Sequence, residues 1–219
     1  MRRILMVMVT SLILACNVSA VEVVDKPIAS FMKKVDVKIK CPQLKGLKDK
    51  KIERAMNKLL LDDCQGIINK QKLLKEPNHQ TLSGGYKVFL NKDNLLSLTI
   101  AYEGYMEHAA HPWHLIVGYN YDLTSGKMIK FNDLFVKDYK AKLNKLVNKA
   151  LTDKIKGYEL EFKTVKDDQD FYLTDDSLVV FFNEYEIGPY VIGAPEAKIA
   201  YKDIKDIMDP KGPVFKLGK

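Results

Sequence analysis

The chain has 219 residues, of which 47% are hydrophobic and 29% are charged, and its 35 lysines and arginines against 28 acids give a net charge of +7. Arginine occurs only at Arg2, Arg3 and Arg54. Because recognition of phosphates and base edges favours the planar arginine fork, the lysine-rich surface argues against a nucleic-acid partner.

The first twenty residues have the pattern of an export signal. Arg2 and Arg3 precede an apolar run at residues 4–15, and residues 18–20 (Val-Ser-Ala) form a small-residue cleavage site. We therefore expect a periplasmic or secreted protein. An alternative remains open, because residues 13–16 resemble a lipobox in which Cys16 would be lipidated. Later stretches are too short or too polar to span a bilayer, which needs roughly 20 apolar residues, so we expect no integral membrane segment after processing.

The first predicted elements are a strand at residues 35–41, ended by Pro42, and a helix at residues 48–69. Alternating apolar residues place Cys41 on the same strand face as its apolar neighbours, and helical spacing places Cys64 on the apolar face of the helix. Both thiols then point into the layer between strand and helix. In an oxidising compartment we expect them to form a disulfide, with two buried free thiols as the alternative.

The remaining pattern is mostly strands joined by tight turns, which predicts an α+β protein with a largely antiparallel sheet and two long amphipathic helices packed on it. Apolar residues at helical spacing predict the second long helix, and a short helix is expected near the end. The predicted strands are 86–90, 95–102, 113–122, 127–131, 171–173, 178–182 and 198–201, and the helices are 136–156 and 203–208.

Two runs of sequence carry a family likeness. Residues 119–135 (YNYDLTSGKMIKFNDLF) and residues 171–204 resemble the extracytoplasmic domain of RsiV-type anti-sigma factors, which sense lysozyme, and of PdaC-type peptidoglycan deacetylases. The preceding part resembles the companion N-terminal domain through KCPQL, LLSLTIAYEGY and an Ala-His pair. The predicted organisation is a signal peptide (1–20), a PdaC-like domain (21–120), an RsiV-like domain (121–209) and a tail (210–219).

The resemblance does not extend to a sigma-binding segment, a transmembrane helix or a deacetylase module, so we expect a sensory or accessory part alone. It implies an exported, non-enzymatic binding protein of the cell envelope whose partner is a lysozyme-like muramidase or peptidoglycan. Two loops, at residues 107–114 and 184–193, are rich in aromatic and carboxylate side chains, which serve as binding anchors. The expected partner-contacting residues in and near these loops are His111, Trp113, Tyr119, Glu184, Tyr185, Glu186 and Tyr190.

Three histidines spaced three apart, His108, His111 and His114, raise the question of a metal site. Pro112 favours extended geometry at His111, and residues three apart on a strand point to opposite faces. A zinc site needs three or four converging ligands, and neither an HExxH motif nor a carboxylate cluster accompanies the histidines. We therefore expect no metal and no cofactor.

The rival hypothesis is a peptidoglycan-active hydrolase or deacetylase that uses His111 with Glu184 or Glu186. On an extended chain, alternating residues lie about 6.5–7 Å apart on one face, which is compatible with the carboxylate pair of a glycosidase. The nucleophile motif GxSxG and a phosphate-binding loop do not occur in the sequence. The pattern therefore favours a binding protein without assigned catalytic residues.

Overall fold

A computed structural model describes residues 20–32 and 34–218, so the predicted export signal, including Cys16, lies outside the described residues except for Ala20. Two sheets and two long helices make up this part of the chain, and every strand pair is antiparallel except the second with the third. The predicted α+β class with a largely antiparallel sheet is confirmed.

The strands form two sheets. The first sheet contains, in order, β1 (Glu22–Met32), β2 (Val35–Lys45), β3 (Gln80–Lys92), β4 (Leu95–Met106), β5 (Trp113–Asp122) and β6 (Lys127–Met128). The second sheet contains β7 (Phe171–Leu173), β8 (Ser177–Phe181) and β9 (Glu196–Ala200). The helices are α1 (Lys50–Lys70), α2 (Lys140–Lys154) and α3 (Tyr201–Ile204).

Helix α1 packs on the inner face of the first sheet. It begins where the carboxylate of Asp49 accepts hydrogen bonds from the backbone of Lys51 and Ile52, which satisfies two of the free amides of the first turn. One face of the helix is buried against β2, and the predicted disulfide between Cys41 and Cys64 is present there. The strand alternation and the helical spacing in the sequence therefore correctly predicted that both cysteines lie between β2 and α1.

The predicted end of the strand at Pro42 is wrong, because β2 continues to Lys45. Strand β3 pairs with β2 only from Val35 to Ile39, so further along β2 has a neighbour on one side only, where a proline is tolerated. That neighbour is β1, which pairs Asp25 with Pro42. The sequence analysis missed β1 because its lysine, aspartate and proline interrupt the apolar alternation of an edge strand.

The two sheets are joined by a buried polar pair on the outer face of the first sheet. Ser97 of β4 and Asn120 of β5 are direct cross-strand partners, and the serine hydroxyl donates to the asparagine Oδ1 at 2.6 Å. The Asn120 amide donates to the carbonyl of Phe171 at 2.9 Å, and the amide of Leu173 donates to Ser97 Oγ at 2.8 Å. The two side chains thus bind the free edge of β7 and fix the second sheet on the first.

Helix α2 covers the second sheet with its buried residues Leu143, Val147 and Leu151. It begins four residues later than predicted, because the preceding segment is bound to the C-terminal part of the chain. The amide of Val136 donates to the carbonyl of Ile207 at 2.9 Å. Within residues 20–32 and 34–218, no helix combines the length and the apolar character needed to cross a membrane.

Replacing the buried amide at the junction is expected to destabilise the fold. Asn120→Ala leaves the Phe171 carbonyl without its donor in a site where Asn120 is 2% exposed. We expect a loss of about 1–3 kcal/mol in the free energy of unfolding, measured by urea denaturation followed by circular dichroism. Asn148→Ala on the exposed face of α2 is the matched control, with an expected change within about 0.5 kcal/mol. Equal effects of the two substitutions would contradict the role assigned to Asn120.

Removal of the disulfide is expected to lower stability through the unfolded state. The bridge joins residues separated by 23 positions, and closing such a loop stabilises by about 3 kcal/mol. The Cys41→Ala, Cys64→Ala double variant should unfold at a lower urea concentration than the oxidised protein. The wild-type protein with and without dithiothreitol provides the internal comparison, and reductant should not change the midpoint of the double variant.

Candidate functional site

The loop before β5 and the loop after β8 meet at the start of β5. The side-chain amide of Asn183 holds them together there: the amide of Ile116 donates to Asn183 Oδ1 at 2.7 Å, and Asn183 Nδ2 donates to the carbonyl of Ile116 at 3.0 Å. This edge of β5 is available because β6 pairs only with Tyr121 and Asp122. Asn183 therefore satisfies both backbone groups of Ile116, as a neighbouring strand would.

His114 is the centre of the polar contacts between the loops. Its backbone amide donates to Glu184 Oε2 at 3.1 Å, and its ring Nδ1 lies 2.5 Å from Glu184 Oε1. Its Nε2 lies 3.2 Å from a carboxylate oxygen of Glu103, the cross-strand partner of His114 on β4. The Glu184 side chain is only 10% exposed, so this ion pair is largely shielded from solvent on the Glu184 side. One imidazole thus bridges two carboxylates, one on β4 of the first sheet and one on the loop after β8.

The surroundings of His114 favour its protonated form. Partial burial lowers the pKa of the imidazole, but the hydrogen bonds and negative charges of Glu184 and Glu103 act in the opposite direction and raise the pKa above its ordinary value. The imidazolium is therefore the form that best satisfies both carboxylates. This ion triad ties the loop after β8 to the first sheet.

Aromatic rings complete the contact between the loops. The ring of His111 stacks on Tyr190 with centroids 3.9 Å apart, and the Tyr190 hydroxyl donates to the carbonyl of Pro112 at 3.1 Å. The Tyr185 hydroxyl lies 3.2 Å from His111 Nε2. Tyr185 has a left-handed backbone with φ 64° and is 61% exposed. We call this set of side chains the loop cluster: His111, His114, Glu184, Tyr185 and Tyr190.

An open groove of about 780 Å³ lies beside the loop cluster. Its floor is the outer face of β3 and β4, at Gly85 and Ala101, and its wall is the loop segment around Tyr190 and Val191. Glu103, His114 and Glu184 line its polar side. Pockets of roughly 300–1,000 Å³ with a few converging polar groups are the usual form of binding sites.

The other expected contact residues lie elsewhere. The indole of Trp113 lies across Gly104 on the inner face of the sheet, where it packs against the core under α1. Tyr119 is 2% exposed, and its hydroxyl donates to Asp63 of α1 at 3.2 Å. Neither side chain reaches the loop cluster, because both point to the face of β5 opposite to His114.

The sequence analysis treated Glu184 and Glu186 as alternating residues on one face of an extended chain. In the structure they do not share a face. The left-handed Tyr185 between them turns the chain, so the two carboxylates have separate partners. Glu186 accepts from Lys166 Nζ at 2.7 Å and from the amide of Asn183 at 2.9 Å. Its role is to hold the turn that presents Glu184 and Tyr185.

Sequence reasoning missed Glu103, His114 and Asn183 as site residues. His114 was visible only as one of three histidines, and the register that pairs it with Glu103 is a property of the folded sheet. Asn183 carried no local signal. Among residues 20–32 and 34–218, no group of three or more histidine, cysteine, aspartate and glutamate side chains is arranged to hold a metal ion.

Comparison with known proteins locates the two halves of this site in two domain families. Residues 29–114 match the family described as deacetylase PdaC, and residues 132–202 match a protein family of unknown function, DUF3298. The anti-sigma-V factor RsiV of Bacillus subtilis is 25% identical over 185 residues, which cover 78% of this chain and 65% of that protein. The chain therefore contains domains of the RsiV/PdaC type. These relationships indicate an envelope-associated role.

Two solved structures have the same fold over most of the chain. A DUF3298 family member from Bacteroides fragilis has a TM-score of 0.73 at 20% identity and covers 93% of this chain and 99% of its own. A DUF3298 family protein from Pseudomonas aeruginosa has a TM-score of 0.61 at 17% identity, with 89% and 96% covered. His111 and His114 lie in the PdaC match, whereas Glu184 and Tyr190 lie in the DUF3298 match. The loop cluster therefore forms where the two matched regions meet.

The protonation of His114 provides a direct test of the ion triad. The pKa of His114 in the folded protein is raised above the ordinary 6.5. The imidazolium therefore stabilises the fold fully at pH values below the pKa that this histidine has in the unfolded chain. This stabilisation is lost as the pH rises through the pKa of the folded protein. A pH titration of the histidine rings by NMR should give His114 a pKa above 6.5. Glu184→Gln should lower it, whereas Glu76→Gln, an exposed substitution outside the site, should leave it unchanged. A wild-type value at or below 6.5 would contradict the triad.

Proposed function

We propose that this chain is an exported, non-enzymatic binding protein of the cell envelope, and that its partner is a lysozyme-like muramidase. The observation that carries the proposal is the loop cluster, in which two loops from different parts of the chain are joined by hydrogen bonds and ring stacking. Loops held in one conformation before binding lose little entropy on association. Such preorganised aromatic surfaces are typical of protein interfaces.

The chemistry of the surface fits a basic partner. Tyr185 and Val191 are 61% and 64% exposed, which provides apolar contact area at the tip of the loop. Glu103 and Glu107 add exposed carboxylates to the same end of the sheet. Local charge complementarity governs recognition and its rate, so an acidic patch serves a basic muramidase even on a chain with a net charge of +7.

The relationship to RsiV supports this partner class, because RsiV-type proteins sense lysozyme. The chain matches 65% of the length of RsiV, so the proposal concerns the binding surface alone. Regulation of a sigma factor is no part of it. Peptidoglycan is the other envelope ligand that such a surface can meet, and the binding experiment includes it as a separate arm.

A peptidoglycan-active hydrolase, or an accessory protein of a deacetylase, is the alternative function. The observation in its favour is the imidazole of His114 between Glu103 and Glu184 at the edge of an open groove, since histidine and carboxylates are the usual acid–base groups. His111, the histidine that the sequence pattern favours for this role, instead contacts Tyr185 and the carbonyl of Pro112. Release of soluble fragments or of acetate from labelled peptidoglycan by the purified protein would establish this alternative.

Calorimetric titration of residues 21–219 with hen egg-white lysozyme tests the proposed function. We expect a dissociation constant well below the high micromolar range, and Tyr185→Ala should weaken binding at least tenfold, as removal of an interface anchor does. Tyr158→Ala is the matched control, because Tyr158 is a 48% exposed tyrosine outside the loop cluster.

The second arm of the experiment is cosedimentation with insoluble peptidoglycan. Absence of lysozyme binding at high micromolar concentration would refute the muramidase proposal, and cosedimentation in that case would identify the glycan as the ligand. An equal loss of lysozyme affinity in the two tyrosine variants would show that the loop cluster is not the contact surface.

A further inference from the structure

The groove beside the loop cluster exists because the second sheet covers only part of the outer face of the first. On β4 the outward residues are buried up to Thr99, where the second sheet packs, and they are exposed from Ala101 onward. The loop containing Tyr190 and Val191 then rises along one side of this open face. The result is a trough with a floor of two strands and one wall.

The small residues on the floor of the groove are not required by the packing of the core. A Cβ atom added to Gly84 would come within 2.9 Å of the Tyr102 ring, so that glycine is required by the core. Gly85, its neighbour on the outer face, would bring a Cβ atom within 4 Å of nothing. Opposite it in the register is Ala101, which is exposed. Two small residues thus leave a flat apolar strip that the fold itself does not fill.

The polar side of the groove carries an excess of negative charge. His114 stands between Glu103 and Glu184, so even the imidazolium offsets only one of the two carboxylates. Both oxygens of Glu184 are engaged by His114. Glu103 uses Oε2 alone for His114, and its side chain is 58% exposed. Within the part of the chain that the structure describes, its second oxygen has no hydrogen-bond partner and faces solvent.

A nearby lysine does not neutralise this carboxylate. Lys87 follows Gly85 by two positions on the same face of β3, but its Nζ lies over the ring of Phe89, 4.7 Å from the ring centroid. In the described residues the ion pairs of Glu103 are limited to His114. The groove therefore combines an apolar floor and wall with one under-neutralised carboxylate at its side.

We propose that this groove binds a short extended segment of the partner protein that carries a lysine or arginine side chain. The aliphatic stem of that side chain lies along the Gly85–Ala101 floor against Tyr190, and its cationic head pairs with Glu103. Long basic side chains combine an apolar stem and a charged head in this way, and charge-assisted hydrogen bonds to carboxylates are among the strong ones. A volume of about 780 Å³ accommodates several residues rather than one side chain. The inference rests on the proposed function and names the chemistry that this site takes from the partner.

The groove is tested first with small probes that do not depend on the muramidase. The blocked pentapeptide acetyl-Gly-Ala-Lys-Ala-Gly-amide is titrated into nitrogen-15-labelled protein, and the same peptide with glutamate in place of lysine is the comparison. We expect the lysine peptide to shift the amide signals of residues 83–85, 101–103 and 114, with at least tenfold tighter binding than the glutamate peptide. Equal affinity of the two peptides, or shifts confined to other residues, would overturn the proposal.

Two variants probe the floor and the charge separately. Glu103→Gln should weaken binding of the lysine peptide at least fivefold, whereas the exposed Glu76→Gln should change it less than twofold. Gly85→Leu fills the floor at a position where a Cβ atom meets no neighbour within 4 Å, so it should block the peptide and leave the fold intact. Unchanged peptide affinity in both Glu103→Gln and Gly85→Leu would refute the groove as the binding site.

Calorimetry of the same variants with hen egg-white lysozyme separates this inference from the proposed function. If the wild-type protein and both groove variants bind lysozyme equally, the groove proposal fails and the muramidase proposal stands. If the wild-type protein does not bind lysozyme but discriminates between the peptides as expected, the muramidase proposal fails and the groove stands as a site for a cationic segment. Parallel losses of lysozyme and peptide affinity in Glu103→Gln and Gly85→Leu support both.

Discussion

The hydrogen-bonded pair of Ser97 and Asn120 is the contact on which the arrangement of the two sheets depends. The two side chains lie on neighbouring strands of the first sheet and receive the backbone of β7 at Phe171 and Leu173. A free strand edge presents backbone groups that need partners when they are buried. Because the pair provides those partners in one register, it determines where the second sheet lies on the first.

The position of the second sheet in turn determines the site. With β7 in this position, the loop after β8 passes the open edge of β5. There the side chain of Asn183 forms hydrogen bonds with the backbone of Ile116, and Glu184 contacts His114. Three kinds of contact then act over a few residues: a strand-like amide pair, an ion triad and a ring stack. Together they hold Tyr185 and Tyr190 in one conformation. A surface that is ordered in advance loses less conformational entropy on binding.

The site belongs to neither half of the chain alone. The first sheet contributes Glu103 and His114 and the loop after β8 contributes Glu184, and these elements match two different domain families. The local charge of this junction is negative although the chain as a whole is basic. A local charge opposite in sign to the net charge favours a ligand that is basic at the contact.

The amino-acid sequence by itself determined the features that depend on local periodicity. Alternation and helical spacing placed Cys41 and Cys64 in one layer, gave β5 its bounds and identified the two long helices. These signals are local because strands and helices repeat every two or 3.6 residues.

Only the tertiary structure decided which side chains meet. The register of β4 against β5 brings Glu103 to His114, a contact across 70 positions brings Glu184 to the same ring, and strand alternation turns Tyr119 into the core. Pairing between distant segments depends on how two whole sheets pack, and no local pattern in the sequence encodes it.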